Sequence, residues 1–158
     1  MSLETIYYVG QTVAVVAILV SLVFVGVQIR QNTKATRAAS HHAITDSFNA
    51  INSIIGTIPE AARIWRLGLE CLANLNVDEQ MSFAFVSLAY MRIFETLYYQ
   101  KHIGMMEAQL FEAERRSIAW IAQNAGFRDW WKSNEISLSD EYRAYVDEII
   151  LEAERASG

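Results

Sequence analysis

From Thr5 to Ile29 the chain carries no charged residue, and its apolar centre, Val13 to Val27, is interrupted only by Ser21 and Gly26. A bilayer core of about 30 Å takes roughly 20 apolar residues at about 1.5 Å rise per residue, and Val9 to Thr12 extend the run to that length. The pattern predicts a transmembrane helix. Tyr7 and Tyr8 fall where an aromatic belt meets the headgroups, and Arg30 at the other end can snorkel to its interface. A buried core helix would usually carry a polar stripe. A cleaved secretory signal would bring Lys or Arg ahead of the apolar run, where this chain has only Glu4, and a small-x-small cleavage site directly after it.

Beyond the run the apolar positions change period. No glycine or proline lies between Gly26 and Gly56, so one helix can continue for several turns past Arg30. Its first stretch, Gln28 to Ser40, is polar and alanine-rich; then Ile44, Phe48, Ile51, Ile55 and Ile58 recur at alternating four- and three-residue steps, an amphipathic stripe that needs something to pack on. Gly56 to Pro59 breaks it, because proline disfavours helical geometry at Ile58 and suits the first turn of a new helix. A second helix is expected from Glu60 to about Leu75, with Ile64, Trp65, Leu69 and Leu72 inward. Asn76 followed by Glu79 reads as a capping box for a third helix, Val77 to about His102, stopped by Gly104. That helix is apolar almost all round, which places it at the centre of a bundle. A fourth is expected from about Met105 to Asn124, ending at Gly126, followed by a short aromatic segment from Phe127 to Lys132. Ser139 can cap a last helix whose buried edge is Tyr142, Tyr145, Val146 and Ile149. With no strand alternation, repeat or low-complexity linker, the fold class is all-α: one N-terminal transmembrane helix (1–30) continuing into a helical bundle (31–158).

Charge gives an orientation. Arg30, Lys34 and Arg37 follow the span and no basic residue precedes it, so the positive-inside rule puts residues 31–158 in the cytoplasm and the N-terminus outside. Cys71, the only cysteine, then lies in a reducing compartment, without an intrachain partner, as a small packing residue. Of the 18 Asp and Glu all but Glu4 and Asp46 come after Pro59, against all but three of the 13 Lys and Arg. The acidic balance speaks against a phosphate-tracking face and therefore against nucleic acid as a partner. The basic cluster at 30–37 serves topology and at most touches anionic lipid.

Catalytic signatures are absent. A di-iron carboxylate bundle needs Glu-x-x-His pairs, but Ala38, Ala39 and Tyr99 stand three residues before His41, His42 and His102. There is no Gly-x-Ser-x-Gly elbow, no phosphate-binding Gly-x-x-x-x-Gly-Lys and no zinc spacing, so neither cofactor nor metal is expected. His41 and His42 are adjacent on a helix and point in different directions. The polar candidates lie on the third helix: Arg92 and Glu95, spaced to share a face, with Tyr98, Tyr99 and His102 further along. Arg92, Glu95, Tyr99 and His102 could line a pocket for a small anion or a partner's side chain. The other reading of Arg92 and Glu95 is a buried pair that fixes helix register.

Within the span, Gly10, Ala14, Ala17 and Ser21 repeat at helical spacing and form a face of small side chains along which another helix could approach closely. The same register continues through Phe24, Gln28, Gln31, Ala35 and Ala38. This face predicts self-association or docking to another membrane subunit.

The segments Arg92 to Gln100 with Gly104, and Gly126-Phe127-Arg128-Asp129-Trp130-Trp131 with Ser139 to Val146, resemble a recurrent bacterial pattern. It is that of small proteins with one N-terminal membrane helix and a cytoplasmic helical domain, with Ala125 here where the pattern has a proline. The resemblance implies an inner-membrane, single-pass protein and carries no activity with it. The expected function is that of a membrane-anchored interaction or scaffold protein, in contact with lipid and self-associating or serving as an accessory subunit, rather than an enzyme. Alternatives are a small-ligand sensor or enzyme using the Arg92 and Glu95 region, and a channel built from several copies of the span.

Overall fold

The computed structural model describes residues 2–134 and 137–157. They form six α-helices: α1 (Leu3–Thr57), α2 (Pro59–Glu70), α3 (Val77–His102), α4 (Ala108–Ala122), α5 (Ala125–Asn134) and α6 (Asp140–Ser157), with a 3-10 turn at Leu72–Asn74 after α2. The described residues contain no strand, as the periodicity implies. Packing divides the chain into two units, one up to His41 and one from His42 onward. The composition changes earlier, at Arg30. The two boundaries differ because Gln28 to Ala39 are exposed throughout, and the first buried residue is Ile44.

The first unit is helical from Leu3 onward. Its apolar window has a mean hydropathy of 2.6 with no residue buried, and its length and composition are compatible with a single membrane span. Two of its hydroxyls bond to the helix's own backbone: Thr12 Oγ1 donates to the Tyr8 carbonyl and Ser21 Oγ to the Ala17 carbonyl, each at 2.8 Å.

In the second unit, the remainder of α1 lays its stripe on α3. Ile44 is buried, and Phe48, Ile51 and Ile55 are half-buried, with the Phe48 ring 5.1 Å from Phe94. Ile58 is 49% exposed, since its backbone turns extended (φ −104°, ψ 107°) ahead of Pro59, the first residue of α2. Helix α2 stops at Glu70 rather than near Leu75. Cys71 adopts an extended backbone there (φ −164°, ψ 129°) and is exposed, which corrects its expected role as a packing residue.

Asn76 and Glu79 form the capping box in full: the Asn76 side chain accepts from the Glu79 N–H at 3.0 Å, and the Glu79 carboxylate accepts from the Asn76 N–H at 2.8 Å. That backbone donor, with Arg63 of α2 on the same carboxylate, holds the Glu79 carboxyl below its usual range. Helix α3 runs from Val77 to His102 as the pattern predicts, and Gly104 takes the left-handed conformation (φ +70°) that follows it. Phe83, Ser87, Tyr90, Met91, Phe94 and Leu97 are buried along it. It is not enclosed on all sides: Val77, Met81 and Phe85, at four-residue spacing, are 79%, 57% and 65% exposed.

The largest departure from the sequence reading follows α3. Helix α4 begins at Ala108, and Gly126 does not stop a helix but sits in the first turn of α5, which takes in the whole aromatic segment. Gly126 is there because α5 crosses α2 at Gly68: a Cβ on Gly126 would overlap the Gly68 carbonyl oxygen and come 2.9 Å from that of Leu69, while one on Gly68 would run into the Phe83 ring. The crossing buries Phe127, Trp130 and Trp131. Arg128 turns back to α4, its Nη1 donating to the carbonyls of Ala122 (2.9 Å) and Gln123 (2.8 Å) at that helix's C-terminus. On α6, Tyr142, Val146 and Ile149 are buried and Tyr145 is half-buried, the edge expected from the spacing.

Candidate functional site

Helix α3 carries Arg92 one turn before Glu95, and Arg92 Nη1 donates to Glu95 Oε2 at 3.1 Å. The pair is not enclosed in the bundle: the side chain of Arg92 is 55% exposed and that of Glu95 19%. The remaining carboxylate oxygen, Glu95 Oε1, accepts the backbone N–H of Ser139 at 2.7 Å, immediately before α6. Glu95 thus satisfies one of the backbone donors that a helix start leaves open, from another helix. Tyr99 is 63% exposed. His102, also exposed, has its Nδ1 2.9 Å from the Tyr98 carbonyl oxygen and its ring 4.3 Å from that of Tyr98. Arg92 and Glu95 touch, but Tyr99 and His102 make no hydrogen bond or ring contact with either among the described residues. A buried, pocket-forming Arg92 is therefore corrected to a surface residue, and Glu95 to a link between α3 and α6.

The two residues should accordingly separate in a stability measurement. Arg92→Ala is expected to cost less than about 1 kcal/mol, as for exposed ion pairs, and Glu95→Ala about 1–2 kcal/mol through the lost contact to Ser139. Denaturant unfolding of both variants checks this, and a larger loss from Arg92→Ala would restore the buried-pair reading.

Beside this face, Tyr98 joins Tyr142, Tyr145 and Phe111 in a ring cluster, with Tyr98 4.9 Å from Tyr145 and 5.6 Å from Tyr142. Burial pushes the Tyr145 phenol up to about 12 and Tyr142 well above its ordinary value, so both stay protonated. The cluster is core packing.

A concavity that the sequence did not announce lies elsewhere in the second unit. One wall is α1, at Phe48, Asn49, Asn52 and Ile55; the other is α4, at Glu114, Arg116, Ser117 and Trp120; Trp65, Tyr90 and Phe94 make the floor. The open groove has a volume of about 810 Å³. Its rings pack on one another, Trp65 of the floor against Tyr90 at 5.3 Å and Phe48 of the α1 wall against Phe94 at 5.1 Å between centroids. The Tyr90 hydroxyl and Asn52 Oδ1 are hydrogen-bonded across it. None of Arg92, Glu95, Tyr99 and His102 lines this groove. Spacing places Phe48 with Asn52, and Arg116 with Trp120, on single helix faces, yet no local signal shows that those faces stand opposite one another.

Gly10, Ala14, Ala17 and Ser21 are all exposed on the first unit, and a Cβ at Gly10 would meet nothing within 4 Å. Among the described residues no group of three or more His, Cys, Asp or Glu side chains could hold a metal ion. The chain matches no protein-family model, no curated protein and no solved structure.

Proposed function

We propose that this is a membrane-anchored helical interaction protein of the bacterial inner membrane, its span inserted with the N-terminus outside and residues 31–158 in the cytoplasm. It associates through the span with a second copy or another membrane subunit. The observation that carries this reading is an apolar helical segment on which nothing packs, in a chain whose second unit buries an aromatic core of its own. The small face of Gly10, Ala14, Ala17 and Ser21 suits close backbone approach, since helices in lipid associate by packing and not by the hydrophobic effect. A pore reading is weaker, because the hydroxyls of Thr12 and Ser21 are turned to carbonyls of their own helix.

The mass of the complex in gentle detergent tests association. Replacing Ala14 and Ala17 together by leucine keeps the segment hydrophobic and leaves insertion intact, but it fills the small face; the double variant is expected to run as a smaller species. Leucines at Val16 and Val20 should leave the mass unchanged. Equal masses for the two double variants would remove the small face as the contact. Orientation is checked separately by a reporter fused after Gly158, expected to be active only if it works in the cytoplasm; periplasmic activity would reverse the assignment.

A further inference from the structure

We infer that the groove between α1 and α4 is a binding site for a small planar aromatic molecule bearing an anionic group such as a carboxylate. Its volume of about 810 Å³ falls within the roughly 300–1,000 Å³ typical of small-ligand clefts. Trp65 and Phe48, half-buried, rest on the buried rings of Tyr90 and Phe94, and such partly open rings suit offset stacking with a flat ring better than contact with a flexible acyl chain. Trp120, 60% exposed on the α4 wall, supplies a further indole at the rim.

Arg116 and Asn52 place donors on the two walls, beside Thr45, Asn49 and Ser117, which can donate or accept. Arg116 is exposed and has no ion pair among the described residues, and its planar guanidinium matches a carboxylate with two parallel N–H bonds. Glu114, the acid of the lining, is half-buried and already engaged. On the opposite wall Asn52 has its carbonyl oxygen committed to the Tyr90 hydroxyl, so its amide N–H groups are the part left for a ligand. An aromatic base with donors facing it from both walls selects a flat molecule carrying acceptors and negative charge.

The full chain in lipid nanodiscs, titrated calorimetrically against empty discs, provides the test, since detergent would compete for an apolar groove. The probes are 2-naphthoate and its uncharged counterpart 2-naphthamide. Saturable one-site binding of naphthoate is expected, weakened about tenfold in Arg116→Gln, the loss of one charge-assisted contact, with naphthamide affinity unchanged by that substitution. Trp120→Ala should weaken both probes, and Arg92→Gln, on another face, neither. Absence of saturable naphthoate binding, or equal naphthoate affinity in Arg116→Gln, overturns the proposal. So does a fall in complex mass for Trp120→Ala without naphthoate binding, which would give the groove to a second copy of the chain.

Discussion

Gly126→Ala is expected to be the most damaging single-methyl change in the chain, costing about 3 kcal/mol or more. The added carbon would overlap the backbone carbonyl of Gly68, and a carbonyl inside a helix cannot rotate aside as a side chain can. Helices α2 and α5 must then separate, and that separation loosens Phe127, Trp130 and Trp131 together. A fall in melting temperature of more than about 10 °C follows for a domain of this size. Gly56→Ala is the matching control: nothing lies within 4 Å of its would-be Cβ, and alanine in a helix stabilises by about 0.5–1 kcal/mol relative to glycine. Similar melting temperatures for the two variants would show that α2 and α5 do not cross at their glycines.

The second large effect concerns the paired tryptophans of α5. Both are 2% exposed, and truncating Trp131 to alanine should cost about 3–5 kcal/mol through the cavity it leaves. Phenylalanine substitutions distinguish the two positions. Trp131 Nε1 donates to Asp147 Oδ1 at 2.7 Å, whereas Trp130 Nε1 is buried without a partner among the described residues. Trp131→Phe gives up a hydrogen bond and should cost about 1–2 kcal/mol, while Trp130→Phe deletes an unsatisfied donor and should cost less. Denaturant midpoints of the two variants decide the point, and the reverse order would refute the assigned partner.

Elements were legible in the sequence where their ends are marked by neighbours. Asn76 and Glu79 meet across a single turn, and Gly104 takes a left-handed conformation that glycine favours, so α3 could be bounded without knowledge of the rest. Gly126 could not be read in this way. A glycine that ends a helix and one that admits a second helix look alike in sequence, and the difference lies in Gly68, on another element. Arg92 and Glu95 pose a related difficulty. Their spacing shows that they share a face, but a helix apolar on nearly every side gives no clue to which face meets solvent. The groove was the least legible feature, since its two walls come from α1 and α4 and its floor from α2 and α3.

The hydrogen bond from Ser139 to Glu95 spans 44 residues of chain, and it ties the start of α6 to α3. Such a contact acts as a latch closing a loop that contains α4 and α5. The entropy of closing a flexible loop rises by only about 0.6 kcal/mol for each doubling of its length. Added length between α5 and Leu138 should therefore cost little thermodynamically, while Leu138, buried in the core, and the carboxylate that holds Ser139 are not free to change.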